Sequence, residues 1–307
     1  MRMRLAPSPA KADLLRGSTR PRVSIRRRIY WDRIYRMKIA AYQAPLLENG
    51  SMEALSHLRT QIDVCEDKGV EILCCPEAVL GGLADYSDRP AELAFNIENG
   101  QLEEFLSPLT SETVSAIIGF TEAANTGLYN TAIIFHRGKL FGQYRKAYPA
   151  IRNSIYNAGD ELPTFTIGSL TFGIIICNDT NYIEPARVMA AKGATVLFVP
   201  TNNCLPLNKA DVVARARSTQ ITRAVENGLT IIAADVAGHQ DGFVSYGSTN
   251  IIDPNGAVIA SSKPFVEDLL IADIEPEADK ERRGWDSSKN PAIIKAFLEE
   301  CYPESSL

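Results

Sequence analysis

The sequence predicts an α/β fold in which strands and helices alternate along the chain. From residue 38 to residue 261, apolar runs of strand length are separated by amphipathic stretches of helix length. The chain has 307 residues, of which 45% are hydrophobic and 22% are charged, so it can bury a sizeable core in one large domain or two small ones. No Gly/Ser-rich or Pro-rich linker divides residues 37–275, which we therefore expect to form one domain.

The hydrophobic pattern assigns the elements in order, beginning with a strand over 38–43 and a helix over 51–68 that carries an apolar stripe. The other predicted helices are 101–109, 184–192 and 209–226. The other predicted strands are 71–75, 114–121, 130–136, 140–145, 164–167, 170–177, 195–199, 229–235, 244–252 and 257–261. The charged segment 276–307 contains a short amphipathic helix over 293–298 and is predicted to be a C-terminal arm that docks on a partner or frays.

Cys177 stands where the apolar run 170–176 gives way to the polar residues Asn178 and Asp179. A structural cysteine would normally lie inside the apolar run, whereas a nucleophile must reach its substrate at the rim of a sheet. The position of Cys177 therefore favours a catalytic thiol, with a buried structural thiol as the alternative.

Two further charged residues follow predicted strands. Glu77 comes after the apolar run 71–75, which Pro76 ends, and Lys146 comes after the strand over 140–145. Together with Cys177 they would place a base, a cation and a thiol at strand ends, which suggests one shared site. The alternative for Glu77 and Lys146 is a structural ion pair.

Several segments resemble a known family in their order and spacing. They are Met37-Lys38-Ile39-Ala40-Ala41-Tyr42-Gln43, Cys75-Pro76-Glu77, Tyr144-Arg145-Lys146 and Cys177-Asn178-Asp179, with Glu184 seven residues after the thiol, and the similarity continues through 186–194, 199–203, 223–227 and 251–256. On these residues the chain resembles the nitrilase superfamily of carbon-nitrogen hydrolases over roughly residues 37–275.

The resemblance implies a four-layer α-β-β-α sandwich that pairs with a second copy, as a homodimer or a higher homo-oligomer. It also implies a Glu-Lys-Cys triad of Glu77, Lys146 and Cys177 without any metal or cofactor. Cys177 would attack the carbonyl carbon of a small amide to form a thioester, while Lys146 and the backbone N–H of Asn178 stabilise the oxyanion. Glu77 would move the protons, which requires it to hold a proton near neutral pH.

The chain departs from the family pattern at one expected carboxylate. Many relatives carry a further glutamate after the lysine, but residues 147–159 contain none, and Glu161 comes too late to replace it with confidence. Tyr148, Asn153 or Tyr156 are the candidates for that place.

Specificity signals lie after the thiol and after the strand over 195–199. Relatives that cleave D-amino-acid N-carbamoyl groups have two arginines where this chain has Thr180-Asn181-Tyr182, so the bidentate cation for a carboxylate is missing there. A neutral or differently anchored amide is the expected substrate. The expected substrate-binding residues are Asn181, Tyr182, Thr201 and Asn202. The alternative for Thr201 and Asn202 is that they only cap the following loop.

Four other functions remain open at this point. The first two are hydrolysis of nitriles and hydrolysis of N-carbamoyl compounds on the same triad. A Cys-His hydrolase would pair Cys177 with His239 but leave Glu77 and Lys146 unexplained. A non-catalytic binding protein on the same fold is the fourth alternative.

Cysteine usage and charge bear on location and partners. The six cysteines are too irregular for a secreted disulfide framework, no signal-peptide core is present, and the adjacent Cys74 and Cys75 would point to opposite faces of a strand, which argues against a metal site. We expect a cytoplasmic protein that binds neither nucleic acid nor membrane, because no window could span a bilayer and the body is acidic.

The first 36 residues differ sharply from the rest of the chain. They carry ten arginines and one lysine against two aspartates, although the whole chain has a net charge of −5. Such a segment is predicted to be a disordered N-terminal extension. It is read as the product of an upstream start codon, as a transit peptide that would direct import into an organelle, or as a basic arm with its own partner.

Overall fold

The fold is described from a computed structural model that covers residues 36–209, 211–240, 242–275 and 284–302. Nearly all of the predicted N-terminal extension and parts of the predicted C-terminal arm therefore lie outside the described residues.

The described residues form two β-sheets and five α-helices. The strands are β1 (Met37–Pro45), β2 (Ile72–Cys74), β3 (Ala94–Phe95), β4 (Ser115–Ala124), β5 (Gly127–His136), β6 (Lys139–Arg145), β7 (Thr164–Ile167), β8 (Leu170–Ile174), β9 (Val196–Pro200), β10 (Leu205–Pro206), β11 (Thr230–Ala234), β12 (Val236–Gln240), β13 (Phe243–Tyr246), β14 (Asn250–Ile252), β15 (Val258–Ser261) and β16 (Asp268–Ile274). The helices are α1 (Glu53–Lys68), α2 (Gln101–Leu106), α3 (Ile183–Ala191), α4 (Asp211–Asn227) and α5 (Pro291–Cys301).

The first sheet has ten strands and the second has six. The order of the first is β10-β13-β12-β1-β2-β4-β5-β6, with β16 paired to β1 and β3 paired to β4, and the order of the second is β15-β14-β11-β9-β8-β7. In the first sheet β2 is parallel to β4, and two antiparallel pairings lead from β4 through β5 to β6. The strands β2 and β6 therefore end at the same edge, and the parallel strands β8 and β9 likewise end together in the second sheet.

Alternating side chains of β1 show how the layers stack. Ile39 and Ala41 pack into a core shared with the second sheet, α3 and α4, whereas Ala40 and Tyr42 pack into a core shared with α1 and α2. Successive side chains of a strand point to opposite faces, so the first sheet must lie between α1 and the second sheet. The predicted α/β class and four-layer α-β-β-α sandwich are confirmed.

The structure corrects three expectations about the strands. The predicted strand over 244–252 is divided, because β13 belongs to the first sheet and β14 to the second. Gly247 lies at the crossing with φ +77°, and a Cβ there would come within 2.5 Å of the Gln43 side chain. The strands β12 and β16 were not predicted, and the strand predicted over 170–177 ends at Ile174.

Candidate catalytic site

Glu77 and Lys146 form a buried ion pair where β2 and β6 end. The Nζ of Lys146 lies 2.5 Å from Oε1 of Glu77, and their side chains are only 4% and 2% exposed. Asn130 of β5 donates from Nδ2 to the same oxygen at 2.7 Å. A buried carboxylate that keeps its charge needs this kind of cation and donor, so the pair is stable only as a unit.

The backbone at Glu77 lies directly against β4. A Cβ on Gly119 would come within 2.6 Å of both the carbonyl oxygen of Pro76 and the nitrogen of Ala78, so only glycine permits this approach. Ala78 itself has φ +47°, a conformation that non-glycine residues rarely adopt. The strained turn aims Glu77 away from the strand and into the space between the sheets.

Asn202, which follows β9, connects the second sheet to Glu77. Its backbone N–H donates to Oε2 of Glu77 at 3.0 Å, and its Nδ2 donates to the carbonyl oxygen of Glu77 at 3.2 Å. The backbone N–H of Glu77 donates in turn to the carbonyl of Thr201 at 3.3 Å. Both carboxylate oxygens of Glu77 are therefore held, one by the first sheet and the other by the second.

Cys177 begins a short 3₁₀ helix, Cys177–Asn181, and has φ +45°. Positive φ in a non-glycine residue costs free energy and is concentrated at functional sites. Burial raises the pKa of the Cys177 thiol and so does the charge of Glu77, while Lys146 and a backbone hydrogen bond with Asn202 act in the opposite direction. The sulfur therefore carries its proton in the resting protein, and a base must remove that proton when the sulfur attacks.

The pKa of Lys146 also depends on the neighbouring acidic groups. Burial alone would lower it, but the negative charge of Glu77, with that of Asp179, holds it above its ordinary value. Lys146 is therefore a permanent cation beside the sulfur.

Asp179 fixes the turn that carries the thiol, and sequence reasoning did not assign it a role. It is fully buried; its Oδ2 accepts the N–H of Ile176 at 2.8 Å and the hydroxyl of Tyr144 at 2.7 Å, and its Oδ1 accepts the N–H of Tyr148 at 2.8 Å. Burial raises the pKa of Asp179 to about 6, although Lys146 and the three donors oppose that shift. The sequence signal that could have identified Asp179 is an acidic residue shortly after the apolar run 170–176.

Asn178 and Asn181 lie on the 3₁₀ helix and engage each other. The Nδ2 of Asn181 donates to Oδ1 of Asn178 at 2.9 Å, and the Nδ2 of Asn178 donates to the carbonyl of Tyr148 at 3.0 Å. The ring of Tyr182 stacks on that of Tyr148 at 3.6 Å. Asn181 and Tyr182 are exposed.

The segment after β9 contacts Glu77 and also caps its own loop. Asn202 contacts Glu77 as described, and its Oδ1 also accepts the N–H of Cys204 at 3.2 Å, which caps the loop. The hydroxyl of Thr201 donates to the carbonyl of Val199 at 3.1 Å and is thus engaged by its own strand. Asn203 is turned away toward Asp235, which accepts from its backbone N–H and from its Nδ2 at 3.0 Å each.

The three residues proposed for the missing glutamate lie in different surroundings. Tyr156 is buried, and its hydroxyl contacts the hydroxyl of Thr121 and the N–H of Ala84, each at 2.8 Å. Asn153 is exposed, and Tyr148 contacts the thiol turn through its backbone.

His239 does not share the surroundings of the thiol. It is an exposed residue of β12 whose ring stacks on Phe265 at 5.0 Å. The groups whose charges act on Cys177 are instead Glu77, Lys146 and Asp235. This arrangement favours the Glu-Lys-Cys set over a Cys-His pair.

The described residues contain no group of three or more His, Cys, Asp or Glu side chains arranged to hold a metal ion. No helix in the described part of the chain has the length and hydrophobicity required to cross a bilayer.

Known proteins are similar to this chain in sequence and in fold. A nitrilase of Pyrococcus abyssi is 27% identical over 239 residues, covering 76% of this chain and 87% of the relative. An (R)-stereoselective amidase of Pseudomonas is 24% identical, covering 87% of this chain and 96% of the relative.

A solved structure of a mutant Nesterenkonia AN1 amidase from the nitrilase superfamily superposes with a TM-score of 0.70 at 21% identity, over 85% of this chain and 97% of the amidase. Another structure of that amidase shows covalent addition of the acetamide moiety of fluoroacetamide at its active-site cysteine.

The family model for carbon-nitrogen hydrolases matches residues 38–283. The resemblance seen in the sequence is thereby confirmed. The chain belongs to the carbon-nitrogen hydrolase family, within the nitrilase superfamily.

Proposed function

We propose that this protein is an amidase-type hydrolase that cleaves the carbon-nitrogen bond of a small, non-peptide amide through a thioester on Cys177. The observation that carries the proposal is the buried pair of Glu77 and Lys146, whose charges both act on the thiol of Cys177. The backbone of Cys177 has a positive φ. A structural ion pair would not require a nucleophile beside it.

Acylation begins with the proton of the thiol. Glu77 accepts this proton as the sulfur attacks the carbonyl carbon, and the carbonyl oxygen becomes negative. Lys146 and the backbone N–H of Asn178 stabilise that oxygen. The carbon-nitrogen bond then breaks, Glu77 returns the proton to nitrogen, and ammonia or an amine leaves.

Deacylation uses the same groups with water as the nucleophile. Glu77 accepts a proton from the water, whose oxygen attacks the thioester carbon, and the oxyanion is held as before. The carbon-sulfur bond breaks, the sulfur recovers its proton from Glu77, and the carboxylic acid is released. Each cycle therefore consumes one amide and one water.

The preference for amides rests on the residues after the thiol and on the relatives. Thr180, Asn181 and Tyr182 offer no cation that could anchor a carboxylate. Relatives of this chain include an amidase and a nitrilase. Nitrile or N-carbamoyl hydrolysis is therefore the second candidate, and a non-catalytic binding protein is the third.

Ammonia release from panels of small amides, N-carbamoyl compounds and nitriles tests the proposal. We expect turnover of amides by the purified protein and none by Cys177→Ala. Turnover restricted to nitriles would reverse the order of the first two candidates. Inactivity on all three panels would favour the binding protein.

A second copy of the chain is proposed to cover helix α5. This helix exposes 63% of Ile293 and 52% of Leu298, while its end is tied to α3 by a hydrogen bond from the Tyr302 hydroxyl to Glu184. Exposed apolar side chains at this density mark an interaction surface. Sedimentation should show a dimer or larger assembly at micromolar concentration, and Ile293→Glu should shift it toward monomer; a wild-type monomer would contradict the proposal.

A further inference from the structure

A cavity of about 180 Å³ lies beside the catalytic groups. It is enclosed by the loops after β1, β2 and β9 and by residues of β12 and β13. Ala78, the neighbour of Glu77, and Asn202, which donates to Oε2 of Glu77, both belong to its wall. The cavity therefore adjoins the Glu77 side of the catalytic site.

Tyr86 links the cavity to the catalytic groups. Its ring lines the cavity and packs on that of Phe243, with the ring centroids 5.1 Å apart. Burial raises the pKa of Tyr86 to about 12, and the charges of Cys204, Asp85, Glu77 and Cys177 add to that shift. The tyrosine is therefore within electrostatic range of two of the three catalytic residues.

The wall of the cavity combines apolar residues with neutral polar ones and carries no positive charge. Leu46, Leu83, Val236 and Phe243 supply apolar surface, and among the described residues that line the cavity Glu48 is the only charged one. A substrate carboxylate would find no cation there and would meet a like charge, whereas an uncharged apolar group would be favoured.

The size of the cavity limits the group that it can hold. An apolar cavity of about 150 Å³ is large enough to bind benzene. A volume of about 180 Å³ therefore admits one phenyl ring or a branched alkyl chain.

We propose that this cavity binds an uncharged apolar substituent of the amide substrate, a phenyl ring or an alkyl chain of similar bulk. The inference rests on the proposed amidase function and names its substrate class. Amides with such a group should be preferred over acetamide and over amides that end in a carboxylate.

The test measures kcat/KM for two series of substrates. The acyl series contains acetamide, butyramide, hexanamide, phenylacetamide and the monoamide of adipic acid, and the nitrogen series contains N-butyl and N-benzyl acetamide. We expect kcat/KM to rise roughly fourfold for each buried methylene in one series, which identifies whether the acyl group or the amine enters the cavity. The monoamide of adipic acid should fall at least about tenfold below hexanamide.

Leu83→Trp, which fills the cavity, should abolish this preference while turnover of acetamide persists. Phe141→Ala is the matched control, because Phe141 is an exposed aromatic residue of β6 that does not line the cavity. If acetamide is hydrolysed but neither series depends on bulk, or Leu83→Trp leaves the preference intact, the inference is overturned and the amidase function stands.

If no amide is hydrolysed, the amidase function itself fails. The cavity is then tested by calorimetric binding of phenylacetamide to the wild type. Weaker binding to Leu83→Trp than to Phe141→Ala supports the apolar cavity, and equal or absent binding overturns it.

Discussion

Glu77 and Asp235 are both buried carboxylates beside strand ends, but their surroundings differ in kind. Glu77 is paired with a lysine and lies beside a thiol. Asp235 lies between β11 and β12 and accepts hydrogen bonds from neutral groups: the backbone N–H and Nδ2 of Asn203, the backbone N–H and hydroxyl of Ser248, and the N–H of Val236. Burial raises the pKa of Asp235, and these donors only partly offset the rise.

The difference separates a group that is proposed to move protons from one that holds a loop. Hydrogen bonds from several neutral donors fix the position of a carboxylate and, through it, the chain segments that donate. The donors of Asp235 include the loop after β9 that carries Asn202, so this network positions the loop, while Glu77 is held by Lys146 and Asn202. Burial and charge alone would not distinguish the two.

The largest effect is expected from Cys177→Ser, which removes the nucleophile. We expect kcat/KM to fall by about 10⁴-fold or more, with far-ultraviolet circular dichroism unchanged. Cys301→Ser, at an exposed cysteine of α5, is the control and should retain activity. Residual activity within tenfold of wild type would mean that the nucleophile lies elsewhere.

Glu77→Gln should reduce kcat by about 10² to 10⁴, because it removes the proton carrier but keeps the shape of the side chain. Some thioester could still form slowly, so mass spectrometry of the protein with substrate should detect an acyl adduct. Glu92→Gln, on an exposed 3₁₀ turn, is the control. If the rate and its pH dependence are unchanged in Glu77→Gln, the ion pair of Glu77 and Lys146 has only a structural role.

Asp179 is a third buried carboxylate, and its raised pKa lies within the pH range in which stability can be measured. Its pKa rises from 3.8 to about 6 on folding, so the folded protein binds an extra proton between those values. That contribution to the free energy of unfolding is complete below pH 3.8 and is lost as pH rises through 6. The stability of the wild type relative to Asp179→Asn should therefore fall by about 3 kcal/mol over this range.

Chemical denaturation of both proteins at a series of pH values checks the expected change at Asp179. A difference between the two that is constant from pH 4 to pH 7 would contradict the raised pKa.

Asp235→Asn should affect stability more than chemistry. Its amide would direct N–H groups at donors that now contact a carboxylate, which should lower the free energy of unfolding by roughly 1–3 kcal/mol. Activity should fall by about tenfold through the displaced loop, without a change in the pH profile. A loss of activity as large as that of Glu77→Gln, in a stable protein, would contradict the distinction between the two carboxylates.

The smallest effect is expected from removing residues 1–36. This segment contains neither Glu77 nor Asp235, and we propose that it is dispensable. A chain that begins at Met37 keeps all of β1, and its turnover and assembly should be unchanged. A chain that begins at Gln43 is the control, because it loses the pairing of residues 37–42 with β16. Aggregation of the Met37 chain would show that the extension belongs to the fold.

Periodicity alone predicted most of the first-sheet and second-sheet strands, because buried strands are continuous apolar runs. It did not predict β16, in which Asp268 and Asp273 interrupt the apolar pattern, or β12, which contains Gly238 and His239. Both strands are defined by their pairing with β1, and this pairing joins residues that are far apart in sequence.

The candidate site was predictable where a strand end carries a reactive side chain. Glu77, Lys146 and Cys177 were found in this way, and the family pattern grouped them. Asn130 and Asp235 were not found, because each lies in an ordinary strand or strand junction and gains its role from a partner many residues away.

The hydrogen bond from Asn202 to Glu77 joins the two sheets at the proposed catalytic site. One sheet supplies the carboxylate and the other supplies the amide that orients it. The geometry of the proposed site therefore depends on the distance and alignment between the two sheets. A slip of about 1 Å between them would disturb the site while leaving every strand intact. On heating, activity should therefore disappear before the far-ultraviolet signal of the strands does.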